Sequence, residues 1–491
     1  MKPSFNLLKH IFLFFWILAS TSCSKPKVIE KDTLVIGIEQ EIKNFDIRTS
    51  SDQNVWKLTL LTTQALLRIT ENGELLPSLA LNYSIKNNRI LEFDLATEQF
   101  FHNKSKVSCL DILYSYADSK RPGSRLLSYL EKVDKYECSK KNLFKIYLKE
   151  PIGEIFLRSV APMIRIFPES IAQNEAEFQK HPMGSGPYQF IKSEKGEVTL
   201  EAFPQYPLKL PFKKIILKPI HSAHTQFMTL ISSDIDLSWA ALNDSLLPDI
   251  KKYKNLRTYK EANSFLFYIG LNLKDPILKN RQIRQYLEDS TPKQKIFDDK
   301  ISSNGFIANG FFLKKHSYYF PIWSPQVPQQ EISLTPIRLS MNIPAQEEIQ
   351  SWAKALQQEW KARNIILEIK SFEFARFIDS LKRGDYQSFL YKTDTKGDPD
   401  WLYQVFHSSQ TPPRLNRFYL NSKPLDLLLE KARPLKEGPQ RKKLYQKAQI
   451  LISQEKALIP LWFPSTTIIS NEKLSSWNSE KLNLIDFLSG F

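Results

Sequence analysis

The sequence predicts an α/β protein of two or three domains, on three observations. At 491 residues the chain is too long to bury a single core. Thr33-Leu34-Val35-Ile36-Gly37-Ile38 is a continuous apolar run of the kind a buried strand shows. From Ile332 onward a strand pattern to Asn342, a helix over about 346–363 and a strand Ile365–Ile369 follow one another. That order favours a parallel sheet with a right-handed crossover.

The first residues carry an address. Lys2 and Lys9 bracket the approach to an apolar run, Ile11 to Ala19, which is a secretory core and too short to span a bilayer. Ala19-Ser20-Thr21-Ser22 then precede Cys23, and the arrangement resembles a bacterial lipoprotein signal in which Cys23 is lipidated. Ser20 stands where that signal usually has Leu. Ser24-Lys25-Pro26-Lys27 reads as a polar tether, and no other stretch reaches 18 apolar residues, so the rest is expected to be soluble and exported.

After the first strand, Val55–Leu67 has helical apolar spacing and leads to a hairpin with Asn72-Gly73 at its turn. Two strands, Tyr83–Ile85 and Ile90–Leu95, flank Asn87-Asn88. Ser108 is placed to cap a helix over Leu110–Ala117, with Asp111 at its third position. Phe144–Leu148 returns as a strand. His181-Pro182-Met183-Gly184-Ser185-Gly186-Pro187-Tyr188 follows near the middle of the chain. With only 14 Gly in the whole chain, two within three positions mark a close approach of backbone to backbone. Tyr188–Ile191 and Val198–Phe203 then pair across Lys195-Gly196-Glu197. Further on come a strand Lys214–Lys218, a helix Gln226–Ile231, a short strand Ile235–Trp239, a strand Phe265–Leu273, a helix Lys436–Gln454 and a closing strand Leu458–Phe463.

Composition excludes several function classes. The 68 Lys and Arg outnumber the 52 Asp and Glu, yet there is no run of five like charges and no zinc-finger spacing. The excess is read as a generally basic solvated surface, with no nucleic-acid partner. Seven scattered histidines give no HExxH and no close pair, so no metal and no cofactor is expected. Gly184-Ser185-Gly186-Pro187 lacks the spacing and the following helix of a nucleophile elbow, and no nucleophile–base set is evident. The chain is not expected to be an enzyme.

In this order the pieces resemble the oligopeptide- and dipeptide-type extracellular solute-binding proteins of bacterial ABC transporters, solute-binding protein family 5. Phe45-Asp46, Ala65-Leu66-Leu67-Arg68 through Gly73 to Pro77-Ser78-Leu79-Ala80, and Phe101-His102 through Ser108-Cys109-Leu110-Asp111-Ile112 each match a family segment. Pro182-Met183-Gly184-Ser185-Gly186-Pro187-Tyr188 is similar to "PiGTGPY", the most specific of the motifs. Leu271-Asn272, Pro276, Ile283-Arg284-Gln285, then Arg441, Leu444-Tyr445, Ala448-Gln449 and Ile459-Pro460-Leu461 extend the match over nearly all the mature chain. Ile47 for Pro, Lys104 for Gly, Cys109 for Ala and Ser290-Thr291-Pro292-Lys293 for "AiDR" depart from it.

The resemblance implies a two-lobed periplasmic-binding-protein fold of class II type, with an extra subdomain in the first lobe and two hinge crossings. The expected organisation is a signal peptide over 1–22, a tether over 23–30, lobe I over 31–265 with the extra subdomain at 58–175, lobe II over 266–465, and a return to lobe I over 466–491. The crossings are expected near Asn263-Ser264 and Pro464-Ser465. The implied function is capture of a peptide in the cleft and delivery to ABC permease subunits. The membrane is expected to be reached through the lipid anchor alone, and the protein is expected to be a monomer. Alternatives on the same fold are a non-peptide solute (nickel chelate, opine, sugar or haem) or a role as sensor or envelope chaperone.

Candidate site residues follow from the resemblance. A peptide α-ammonium is costly to bury without a carboxylate. Family members that bind free peptides supply one in a segment "aDYpDP", here Tyr391-Lys392-Thr393-Asp394-Thr395-Lys396-Gly397-Asp398-Pro399-Asp400, with one extra residue between the acids. Asp394 is the nearest counterpart and Asp398 the alternative. Lys392 and Lys396 either balance the acids or meet an acidic ligand. Trp239, Trp401 and Gln40 are candidates for the cleft wall, with ordinary core packing the other reading of the two tryptophans. Cys109 and Cys138, the thiols left once Cys23 is lipidated, are expected either to pair in the oxidising compartment or to be two separate buried thiols.

Overall fold

The protein is described by a computed structural model over residues 32–48, 50, 52–70, 74–121, 124, 126–139, 142–239, 250, 252–262, 264–301, 305–323, 335–395, 397–478 and 484–490. The signal segment, Cys23, the tether, Asn263 and Lys396 lie outside the described residues.

The first lobe is built on Thr33–Ile38, buried at all six positions. It pairs in parallel with Lys214–Pro219 on one side and with Leu237–Ser238 on the other. Glu197–Ala202 and Tyr188–Glu194 extend the sheet antiparallel beyond Lys214–Pro219, and Lys195 and Gly196 take positive φ at their turn. The expected strand Ile235–Trp239 shrinks to Leu237–Ser238. Asp236 also turns its carboxylate onto the Val35 N–H, Asn471 and Lys473.

A four-stranded antiparallel sheet forms the extra subdomain, in the order Ala80–Lys86, Ile90–Leu95, Leu143–Leu148, Val133–Ser139. Asn87 and Asn88 both take positive φ, the turn conformation that Asn tolerates. Helix Cys109–Asp118 starts at a reciprocal cap. The Asp111 N–H donates to Ser108 Oγ, and the Ser108 N–H donates to Asp111 Oδ2. Its Cys109 is joined by a disulfide to Cys138 of the sheet. The helix read over Val55–Leu67 ends earlier, at Thr62, because Leu67–Ile69 pairs with Leu75–Pro77.

In the second lobe, Ile337–Pro344 pairs in parallel with Ile365–Phe372 and with Ser388–Asp394. The helix between the first two, Glu347–Lys361, buries Ile349, Trp352, Ala353, Leu356 and Trp360, a single face at helical spacing. Trp352 meets Phe267 and Trp462 edge to face, each at 5.0 Å between centroids. That packing ties the helix to the centre of its sheet.

The closing strand runs on past Phe463 and covers Leu458–Ser470. Leu458 to Trp462 pair with Phe265–Leu271 in the second lobe, and Ser465–Ser470 pair with Arg257–Ala262 in the first. One strand therefore belongs to both sheets. Its partner crosses beside it, leaving the first lobe at Ala262 and entering the second at Phe265.

The Gly-Ser-Gly motif proves to be a structural lock. A Cβ added at Gly184 would lie 2.3 Å from the Thr62 carbonyl oxygen, and one at Gly186 2.4 Å from the Thr62 carbonyl carbon. The Gly186 N–H donates to Thr62 O at 3.0 Å, and the His102 N–H donates to Gly184 O at 2.9 Å. His102 Nε2 donates to Gly186 O at 3.1 Å, while the ring packs edge-on against Phe203. Burial pushes this imidazole down to about 4. The unfolded chain takes up a proton near pH 6.5, before the folded protein does. The stability contributed by neutral His102 is thus complete above about pH 6.5 and lost as pH falls towards 4, about 3 kcal/mol in all. Urea unfolding between pH 7 and 4 should show a weaker loss of stability in His102→Gln than in the wild type. Identical slopes would contradict this reading of the lock.

Candidate functional site

The strand registers locate the cleft. In the first lobe the parallel strands end at Ile38, Pro219 and Ser238. Ser238 lies opposite Ile469, so these ends point along the long strand towards Ser465. In the second lobe the parallel strands end at Pro344, Phe372 and Asp394, and Asp394 lies opposite Phe265. Both sets of carboxyl ends therefore converge on the crossing. In open α/β sheets that is the edge where ligands bind.

On the first-lobe wall, Gln40 is exposed just past the first strand. It lines a cavity of about 190 Å³ with Glu39, His221, Ala223 and Gln226. His221 Nδ1 donates to the Glu39 carbonyl at 2.9 Å and so fixes this rim. Trp239 lies beside it but is 6% exposed and belongs to the lobe core. Lys57 covers it, with Nζ 4.9 Å from the ring centroid and donating to the Trp239 carbonyl at 3.1 Å. A larger cavity, about 380 Å³ between Ile283, Tyr286 and Ile337, lies at the opposite end of the strand Ile337–Pro344.

On the second-lobe wall, Asp394 is exposed and accepts a hydrogen bond from Ser264 Oγ at 2.6 Å. Thr395 also holds Ser264, donating to its carbonyl from both N–H and Oγ1. Asp394 thus sits directly on one of the crossings. Lys392 is half-buried, with Nζ 4.6 Å from the Phe265 ring centroid and 5.5 Å from that of Phe267. Burial holds its ammonium below the usual lysine range, against the pull of Glu348 and Asp394.

Asp398 does not join them. Its carboxylate lies 2.7 Å from Arg441 Nη2, and both side chains are completely buried. Asp400 is likewise paired, with Arg433 Nε at 2.7 Å, and the Arg433 guanidinium stacks 3.8 Å over Tyr403. Burial pushes the Asp400 carboxyl up to about 6 in spite of Arg433. Arg158 reaches over from the helix Gly153–Ser159 of the extra subdomain. It lies 3.9 Å from Asp398 and 3.7 Å from Glu437. Asn88 Nδ2 donates to Pro434 O at 3.3 Å, and Gln404 is hydrogen-bonded to Tyr129, so this corner docks the second lobe on the extra subdomain. Trp401 is half-buried in the second-lobe core against Phe311, Phe312 and Phe406.

Residues 74–413 match the family described as bacterial extracellular solute-binding proteins, family 5 middle. The chain belongs to this family. Similar to it is the oligopeptide-binding protein AppA of Bacillus subtilis, 23% identical over 94% of this chain and 91% of that protein. Among solved structures, a putative peptide-binding protein AppA from Clostridium difficile has a TM-score of 0.78 at 19% identity, covering 90% of this chain and 95% of the other. NikZ from Campylobacter jejuni, in complex with Ni(L-His), has a TM-score of 0.70 at 24% identity, covering 90% and 95%. The fold is thus the two-lobed fold of family 5, and these relatives are substrate-binding proteins rather than enzymes.

Sequence reasoning on this family 5 chain missed the residues that decide between the two aspartates. Arg441 was visible only as part of a C-terminal signature, and its role as partner to Asp398 rests on a separation of 43 residues. Ser264 was expected only as part of a crossing, not as a partner of Asp394, and Arg158 carries no local signal. Truncating one partner of a fully buried ion pair leaves the other charge stranded. Asp398→Ala should therefore lower the unfolding free energy by about 3–5 kcal/mol. Unchanged stability in urea unfolding would return Asp398 to the list of ligand-facing residues.

Proposed function

We propose that this chain is the lipid-anchored substrate-binding component of an ABC importer, closing its two lobes on a peptide and presenting it to the permease. Cys23 would carry the anchor. Among the described residues no helix is long and apolar enough to cross a membrane. The crossings at 262–265 and at Pro464-Ser465 would act as hinges, and closure would both bury the ligand and alter the surface that meets the permease.

The observation that carries this reading is the placement of Asp394. It is exposed at the convergent strand ends, hydrogen-bonded to Ser264 on the crossing, whereas Asp398 and Asp400 are buried against Arg441 and Arg433. A peptide α-ammonium arriving there would exchange water for Asp394. The rest of the ligand would pair with backbone and occupy partly wet pockets, which tolerate many side chains. Gln40 lines the facing wall.

Calorimetry with Ala-Ala and Ala-Ala-Ala, each free and N-acetylated, tests the reading. Losing one side of a desolvated charge pair costs 2 kcal/mol or more, about thirtyfold in affinity. The acetylated peptides should bind the wild type that much more weakly, and Asp394→Asn should erase the difference. Equal affinity of free and acetylated forms for the wild type would contradict it.

A further inference from the structure

We propose that Arg158 is a clasp between the lobes, an ion-pairing arm of the extra subdomain that holds the second lobe towards the first before any ligand arrives. The inference goes beyond the peptide reading and does not depend on which solute the cleft takes.

Local chemistry positions the arm. The Asn87-Asn88 turn carries the start of the helix Gly153–Ser159. There the Gly153 N–H donates to Asn88 O and the Glu154 N–H to Asn88 Oδ1, each at 2.8 Å. Ile155, Phe156 and Leu157 bury the helix in the subdomain core. Arg158 follows in the last turn, where a cation suits the helix dipole. Its side chain is 13% exposed and turns its guanidinium to the second lobe.

The seat on the second lobe is built without it. Asp398 and Glu437 share Arg441, at 2.7 Å and 3.4 Å, and Tyr318 donates its hydroxyl to Glu437 at 2.6 Å. Two carboxylates on one fully buried arginine leave a negative charge over. Lys442 offsets part of it from the solvent side, 3.9 Å from the other Glu437 oxygen. Arg158 supplies the rest from across the gap, 3.9 Å from Asp398 and 3.7 Å from Glu437. Glu154, one turn earlier on the same helix, is also buried and within electrostatic reach of Asp398. Without Arg158 the corner would set like charges against each other in a partly desolvated place, where they count for more than at an open surface.

The kind of bond makes this contact separable. The subdomain is fixed to the first lobe through backbone, by the hydrogen bonds of Gly184 and Gly186 with His102 and Thr62. Among the described residues no strand pairing joins its sheet to the second lobe. The contacts there run through side chains: Arg158, the Asn88 amide on the Pro434 carbonyl, and Gln404 with Tyr129. Both Arg158 pairs are longer than hydrogen bonds, so parting them gives up charge attraction and breaks no ladder. None of these contacts uses a crossing strand. The lobes are therefore held at a second place besides the hinge.

Small-angle X-ray scattering of the full chain, freed of co-purified solutes by dialysis, tests this in the wild type, Arg158→Met and Arg158→Lys. A charge pair buried mainly on one side falls between exposed and fully buried pairs, so its loss should lower the closed-to-open ratio about tenfold. Ligand-free Arg158→Met should thus have a larger radius of gyration than ligand-free wild type, and Arg158→Lys should stay with the wild type. Glu437→Gln, which keeps an acceptor for Tyr318, should expand the chain in the same direction. Equal radii for ligand-free wild type and Arg158→Met overturn the clasp, and Glu437→Gln takes the place of Arg158→Met in that comparison if thermal melts show it unfolded. Expansion of Arg158→Lys to the same extent as Arg158→Met assigns the effect to packing and overturns it as well. Failure of peptides to bind overturns the peptide reading alone, because this comparison uses no ligand.

Discussion

One strand of 13 residues, Leu458–Ser470, is a member of both sheets, and the rest of the architecture depends on it. The chain 257–271 lies antiparallel beside it, so two neighbouring crossings join the lobes. Within each lobe the strand is held by a ladder and by buried neighbours such as Trp462 and Ile468. The register against Phe267 and Tyr268 shifts at Leu461, and at Pro464 the ladder loses a donor. Bending is least costly there, because neither core has to be disturbed.

That geometry explains why the candidate residues lie where they do. Carboxyl ends of parallel strands from both lobes reach the same crossing, so a ligand bridging them would act close to the proposed hinge. Ser264 makes the connection physical. It lies on one crossing strand, and it is held by Asp394 and by Thr395. The neighbouring acids do different work. Asp398 with Arg441 and Asp400 with Arg433 are buried pairs that shape the loop after the strand, and Arg158 of the extra subdomain docks against that loop. Of three aspartates within seven residues, one is thus exposed at the crossing and two are buried against arginines.

Much of this was legible in the sequence because local chemistry and tertiary structure agree. The parallel pair around the helix Glu347–Lys361, the Asn87-Asn88 turn and the cap at Ser108 are all written in residues a few positions apart. The close approach at Gly184 and Gly186 was readable too, since glycine is scarce in this chain. What it touches, the backbone of Thr62 and Thr63, was not. The strand was read only to Phe463, and its continuation through the expected crossing at Pro464-Ser465 into the first-lobe sheet was not legible. Distinguishing Asp394 from Asp398 needed Arg441 and Ser264, brought in from distant parts of the chain. Core packing was one of the two readings of Trp239, but its cover by Lys57 had no signal in its neighbours.

The central claim is that the lobes close about this shared strand when a peptide occupies the cleft. Small-angle X-ray scattering of the full chain, alone and with a saturating mixture of di- and tripeptides, measures it most directly. The account predicts a smaller radius of gyration and a shorter maximum dimension with peptide, both reversed when the peptide is dialysed away. Superimposable curves from protein that calorimetry shows to be loaded would contradict it.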